Sequence, residues 1–451
     1  MTTPESESDF NRRDFLKGGS IATLTTLLGG VQLLAQPAPD TESKPAGPKV
    51  KCAVIGLGAW GREILATLGR LPQAEIAGIC DTYPAFLRRS AGAAPGAIST
   101  EDYRTLLSNA EIKAVVVATA THQHKEIVLA ALQAGKHVYC EAPLANGIAD
   151  AREIALAAKA ATRQIFQAGL QLRSDPQRHF LLPFIRSGAL GKPTMTRAQW
   201  HKKQSWRSAS PNPEREKAMN WRLNQATSLG LIGEIGLHSL DQAGWFLDAQ
   251  PVSVTGFGSI AFWKDGRDVP DTVQAIVEYP GGVRLIYDCT LANSFDSEYE
   301  VYYGSDAAIM IRENKAWLFK EVDSPLLGWE VYARKDSFYK ETGIALVANA
   351  TKPAAQGNKP AAEPPANSPL YYALEAFLRN SHELSTAVED FTSVFGSDDP
   401  AALAEHLAKV HRSAAAGYVE GFQATVTAIK TNEAILTGER IALKPEWYDL
   451  S

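Results

Sequence analysis

The sequence predicts an α/β fold in two parts: an N-terminal Rossmann-type, doubly wound parallel sheet, then a C-terminal α+β domain with an open, mostly antiparallel sheet. Three observations carry this. Short apolar runs alternate with helical patterns over residues 49–170, and strand-like segments without intervening helices follow Arg173. A glycine-rich turn, Gly56-Leu57-Gly58-Ala59-Trp60-Gly61, sits where the first strand meets the first helix.

The 451 residues carry 45 Lys+Arg against 50 Asp+Glu, with 45% hydrophobic and 21% charged. This globular balance excludes a disordered chain or a fibre and leaves room for about two or three domains. A formal charge of −5 without long basic runs gives no footprint for nucleic acid. The four Cys, at 52, 80, 140 and 289, lie in apolar strand-like contexts and read as buried free thiols, with no CxxC pair.

Residues 1–48 read as a signal and linker. Arg12 and Arg13 precede an uncharged, weakly apolar stretch from Gly18 to Ala35, broken by Ser20, Thr23, Thr25 and Thr26. That is the pattern of a twin-arginine export signal, so the twin-arginine translocase is an expected partner and the periplasm an expected destination. The stretch is short and poorly apolar for a membrane span.

Residues 49–170 form the first domain. Val50–Ile55 is a strand, and a helical pattern runs from the glycine turn to Leu68. Gly56 allows the tight turn, Gly58 lets a pyrophosphate approach, and Gly61 permits close helix–strand packing, with Ala59 and Trp60 opening the helix. The free N–H groups there suit phosphate. Glu75–Cys80 is the second strand, and Asp81 at its end suits the ribose hydroxyls, favouring NAD over NADP. Arg88 and Arg89 read as a solvated helix face. Helix 101–109, strand Ala114–Ala118, helix Lys125–Ala134, strand His137–Cys140, helix Ile154–Ala161 and strand Gln164–Leu170 continue the alternation.

These motifs, with Ala118-Thr119 and His124, Ala134-Gly135-Lys136-His137-Val138 and Glu141-Ala142-Pro143, resemble the Gfo/Idh/MocA oxidoreductases over roughly residues 49–445. The resemblance implies NAD(P) in the Rossmann half, with Thr119, His122, His124 and Glu141 near it. It also implies a sugar or polyol on a second domain, and a homo-oligomer.

Residues 171–451 are that domain. Thr194–His201, Val252–Trp263, Thr272–Tyr279, Val283–Leu291, Tyr299–Tyr303, Ala307–Arg312 and Ala316–Lys320 read as strands. Between the first two of them Gly233-Glu234-Ile235-Gly236-Leu237-His238-Ser239-Leu240-Asp241 opens a helix, where Glu234, His238 and Asp241 would share one face. A neutral His238 there can take a hydroxyl proton as hydride leaves the same carbon, and Glu234 would orient the ring or the hydroxyl. Glu234 stands where the family usually has Asp.

Ala142 is the main departure, because the family generally carries Glu-Lys-Pro and the lysine helps hold the reacting hydroxyl. Three readings stay open. Lys202, Lys203, Arg207 or Arg222 enters the site instead; the chemistry depends on His238 without a lysine; or the chain binds sugar or NAD without turnover. NAD-dependent glycosidases of the same superfamily also lack the lysine, which supports a redox-neutral cycle of oxidation, elimination, hydration and reduction.

His201, Trp206, Trp221 and Arg222 suit stacking and hydrogen bonding to a pyranose, or equally a subunit-interface loop. Gln171 and Arg173, at the domain junction, match a family position near substrate. Residues 351–369, rich in Ala, Pro and Lys, read as a loop insertion, and helical patterns return at 368–381 and 400–430. His406 and His411, with no nearby Cys, read as a solvated face, so no metal is expected.

Overall fold

The computed structural model describes residues 48–451 apart from 314, 328–329, 331–334, 339–340, 347–366 and 397–398. The twin-arginine signal and most of the 351–369 loop lie outside the described residues.

Alternating apolar runs and amphipathic helices build the first sheet. Its strands are β1 (Val50–Ile55), β2 (Ala74–Cys80), β3 (Ile98–Thr100), β4 (Ala114–Val117), β5 (His137–Cys140) and β6 (Phe166–Ala168). They are ordered β3-β2-β1-β4-β5-β6, and every neighbouring pair is parallel. β4 and β5 are buried at every position, as a sheet covered on both faces requires. The strand order reverses between β1 and β4, and there the crevice opens. Helices α1 (Ala59–Leu68), α2 (Pro84–Ser90), α3 (Tyr103–Leu107), α4 (His124–Gln133) and α5 (Ile148–Ala160) connect these strands.

Helix α6 (Pro176–Arg186) then leads into the second sheet. That sheet contains β7 (Pro193–His201), β8 (Ser253–Ser259), β9 (Thr272–Glu278), β10 (Arg284–Thr290), β11 (Glu298–Gly304), β12 (Ala307–Arg312) and β13 (Lys315–Lys320). Two further strands, β14 (Lys335–Phe338) and β15 (Glu341–Ala345), extend one edge, and β16 (Ile441–Ala442) the other. All its pairings are antiparallel except β7 with β10, which run parallel in the middle of the sheet. Burial alternates strictly along β10 and β12, so one face packs on helices and the other lies open.

Helix α7 (Pro213–Met219) and helix α8 (Leu237–Leu247) separate β7 from β8. Three helices precede β16: α9 (Pro369–Phe395), α10 (Pro400–Ala408) and α11 (Tyr418–Thr437). Two of these correct the expected division of the chain. Leu374, Phe377 and Leu378 of α9 and Leu403 of α10 share a core with Val54, Leu65 and Tyr139, so both helices complete the first domain. His137 pairs with Ser385 of α9 at 2.8 Å, and Gln167 donates to the Ala373 carbonyl at 2.8 Å. Phe422 and Ala424 of α11 join the core that runs from Leu144 and Ala168 to the second sheet. The four cysteines are free and buried.

Candidate active site at the domain interface

The glycine turn has the shape a dinucleotide needs. Gly56 has φ +95°, and a Cβ there would fall 2.6 Å from the Ala118 carbonyl carbon. A Cβ on Gly61 would fall 1.9 Å from the Gly56 oxygen, so helix and strand touch through hydrogen alone. Gly58 faces open space, with nothing within 4 Å of its would-be Cβ. The N-terminus of α1 carries no side-chain cap, which leaves its amides for a phosphate. These residues fit a dinucleotide.

Asp81 accepts the Leu57 amide and the Tyr83 amide, each at 2.7 Å. Burial raises its pKa, while those amides and the nearby Arg215 and Arg62 oppose the rise. Arg88 and Arg89 are exposed. His124 corrects an expectation: it is 1% exposed, with Nδ1 3.1 Å from the Pro143 oxygen and Nε2 3.1 Å from the Thr119 oxygen. Its ring ties the β4 and β5 loops together from behind and does not present itself to a nucleotide. Burial lowers its pKa to about 4, so it is neutral near pH 7. Thr119 leaves its Oγ1 buried without a partner among the described residues.

The loop after β4 faces the segment before α8. Ile232–Gly236 forms a π-helical turn, the wider geometry that places Glu234 ahead of the regular helix. Glu234 accepts from Thr121 at 3.2 Å and from Ser228 at 3.2 Å, and its side chain is 4% exposed. Burial raises its pKa, and the Arg222 charge opposes this first. His238 is half-buried, and its Nδ1 has no hydrogen-bond partner among the described residues. Burial lowers this imidazole to about 4, so at neutral pH it is an unprotonated base.

Glu141, 8% exposed, is pushed up to about 7 by burial, with Trp60, the Ala142 amide and Tyr139 hydrogen-bonding against the shift. Its Oε1 has no partner among the described residues. Ala142 follows, in a cis bond to Pro143.

Of the four cations that might replace a lysine there, the structure brings Arg222 to the site. Its Nε lies 3.7 Å from Glu234 Oε2, and its charge also acts on Glu141. The guanidinium stands 4.9 Å from the Trp221 ring centre and 5.7 Å from that of Trp206. His122, half-buried with its pKa lowered by burial, lies 6.4 Å from Trp221. Lys203 instead sits over Phe262, Arg207 binds the Asp265 carbonyl and Glu216, and Lys202 is exposed.

Three other expected substrate residues lie elsewhere or are already occupied. Ala198 and Trp200 of β7 face the core, so His201, one residue on, points to the open side of the sheet. There its Nε2 meets Asp288 at 2.7 Å. Asp241 is claimed by Arg173 in a two-pronged pair, Nε to Oδ2 at 2.9 Å and Nη2 to Oδ1 at 2.8 Å. Arg173 also lies 5.2 Å from the Trp245 ring centre, so the carboxylate is paired within the second domain and is not free. Gln171 is half-buried beside it, in the short helical turn Gln171–Ser174.

Both halves match one sequence family. Residues 50–169 match the Gfo/Idh/MocA "oxidoreductase family, NAD-binding Rossmann fold", and residues 183–309 match the "GFO/IDH/MocA C-terminal domain". The chain belongs to the Gfo/Idh/MocA oxidoreductase family. Among relatives of this Gfo/Idh/MocA protein, inositol 2-dehydrogenase from Rubrobacter xylanophilus is 30% identical over 240 residues, 52% of this chain and 63% of its own length. Levoglucosan dehydrogenase from Pseudarthrobacter phenanthrenivorans is 26% identical over 205 residues, 41% of this chain and 50% of its own. In fold, levoglucosan dehydrogenase in complex with NADH superposes with a TM-score of 0.65 at 18% identity, covering 88% of this chain and 99% of that one. An oxidoreductase domain protein from Kribbella flavida gives 0.62 at 20% identity, covering 88% and 100%.

Proposed function

We propose that this protein catalyses NAD-dependent hydride transfer at a hydroxyl-bearing carbon of a sugar or polyol, with His238 as acid/base. One observation carries the reading: a neutral, half-buried imidazole with an unsatisfied nitrogen follows four residues after Glu234, whose carboxylate pairs with Arg222 and accepts from Thr121 in the loop after β4. A buried polar atom left without a partner points to a missing one, and a substrate hydroxyl fits. Inositol and levoglucosan dehydrogenases are among the relatives, which supports the substrate class.

The Gly56–Gly61 turn would hold the pyrophosphate, and Asp81 the adenosine ribose. Bound there, NAD supplies the hydride acceptor. His238 Nδ1 takes the hydroxyl proton, and Arg222 stabilises the negative charge that develops on that oxygen, the work the family's lysine does. Glu234, fixed by Thr121 and Ser228, holds Arg222 in place.

A second reading is a redox-neutral cycle on a glycoside, favoured by Ala142 and by the Arg12-Arg13 pattern. An exported protein meets little free nucleotide, and a closed cycle needs none. Export by the twin-arginine route and a homo-oligomer belong to the same proposal. The oligomer is supported by Phe257 and Ile276, exposed on the open sheet face.

Purified full-length protein, assayed for bound nucleotide and incubated with free polyols, sugars and aryl glycosides, tests both readings. Stoichiometric NADH from a free sugar or polyol supports the first, and aglycone release without net NADH supports the second. Neither outcome with any of them would overturn both.

A further inference from the structure

We propose that residues 202–224 of the second domain form a clasp over the nucleotide crevice, with Arg215 closing its adenosine end; the inference rests on the NAD reading above. The root of the segment is pinned to the second sheet. The Lys203 amide donates to Ser294 Oγ at 2.7 Å, the Gln204 amide to the Leu291 carbonyl at 3.1 Å, and Arg267 to the Ser205 carbonyl. Buried Asn220 then ties the segment to itself, accepting the Ser208 amide at 2.7 Å and donating to the Ser208 carbonyl at 3.0 Å. Between those bonds the chain builds α7, capped by Asn212, whose side chain accepts the Arg215 amide at 2.9 Å.

This one segment touches the first domain at both ends of the crevice. At one end Trp221 meets His122, and Arg222, paired with Glu234 of its own domain, acts on the charge of Glu141. At the other, the Arg215 guanidinium lies 5.0 Å from the Tyr83 ring centre, and the Tyr83 amide is itself bound to Asp81. Arg62 lies on the same side, 5.2 Å from the Phe86 ring centre, with Nη1 on the Leu57 carbonyl at 2.8 Å. A ribose held by Asp81 therefore has Arg215 above it, carried by another domain. Arg215 is exposed to solvent only in part, and its planar donors suit the hydroxyls and π-face of an adenosine. A nucleotide seated there leaves only when this contact opens, so the clasp slows release.

The test measures NADH release from the loaded, full-length protein by loss of its fluorescence after mixing with excess NAD. Arg215→Ala is expected to speed release about three- to tenfold, with Arg215→Lys between the two, the range of a partly exposed cation–π and hydrogen-bonding contact, tenfold being ~1.4 kcal/mol. Arg88→Ala, on the solvated face of α2, is expected to release NADH at the wild-type rate. Hydrogen exchange on the unmodified protein gives a second readout: NADH protects the amides of 214–219. Wild-type release from Arg215→Ala together with unprotected 214–219 amides would overturn the clasp while leaving the cofactor reading intact. Failure of the wild-type protein to bind NADH at all would overturn both.

Discussion

Removing Arg222 tests the claim that an arginine from the second domain replaces the missing lysine. Its Nε lies 3.7 Å from Glu234 Oε2, and its side chain is 38% exposed against 4% for the carboxylate. Coulomb's law at that separation gives about 4 kcal/mol at an effective dielectric of 20 and about 1 kcal/mol in bulk water. Partial exposure of the arginine screens the pair, so ~2 kcal/mol is the working value. Arg222→Ala should then push the Glu234 carboxyl further up, in the direction burial already pushes it. It should also lower kcat/KM about 30-fold at pH 7. The assay is a pH profile of kcat/KM for the wild type, Arg222→Ala and Arg222→Lys, with the Glu234 carboxylate followed by isotope-edited infrared spectroscopy. The acid limb should move to higher pH in Arg222→Ala and return part of the way in Arg222→Lys. Adding Ala142→Lys to Arg222→Ala should recover activity. An unshifted profile with wild-type kcat/KM would refute the reasoning.

Other expectations follow from the same geometry. Stability should fall as pH drops from 6.5 towards 4: His124, His137 and His238 each titrate near 4 when folded against 6.5 otherwise, so the unfolded chain binds more protons in that window. The loss is up to about 3 kcal/mol per histidine. Glu141 acts oppositely: its raised value of about 7 favours the fold fully below 4.5, and that contribution is lost as pH rises through 7. Urea denaturation from pH 4.5 to 7.5 checks the balance, and a flat profile on the acid side contradicts it. Gly61→Ala, with its Cβ forced 1.9 Å from the Gly56 oxygen, should cost several kcal/mol in thermal unfolding and weaken nucleotide binding at least tenfold. His201→Ala should leave kcat/KM within about twofold, because His201 lies on the open sheet face with Asp288; a tenfold loss would return it to the site.

The first domain was legible because its strands are short, mainly apolar runs alternating with helical patterns and its turn demands glycine at fixed positions. Asp81 followed from the same fingerprint, since it only has to end β2. Side-chain alternation also carried information that the reading of His201 passed over: with Ala198 and Trp200 inward, His201 had to point out. Less could be read where partners come from distant segments. Thr121 and Glu234 are 113 residues apart, and nothing local marks Thr121 as a carboxylate's donor. Arg222 stood among four possible cations because only the fold of 202–224 selects between them. Arg215 and Arg62 had no signal at all. The length of α9 escaped because its second half, rich in Ser, Thr and Glu, helps cover the first sheet and carries a weak helical pattern. Helix α6 escaped because Pro183 sits inside it. The π-turn at 232–236 hid the real placement of Glu234, since regular helical spacing puts it on the face of His238 and Asp241.

The most direct test of the central claim is a single-turnover measurement of absorbance at the reduced-nicotinamide band. NAD-loaded wild-type protein and His238→Ala, both shown to bind the same amount of nucleotide, are mixed with a free polyol or sugar at pH 7. The wild type should show a burst of one equivalent of NADH per site, and His238→Ala a burst at least about 100-fold slower, the contribution typical of a positioned base. Equal bursts from the two proteins would contradict the account.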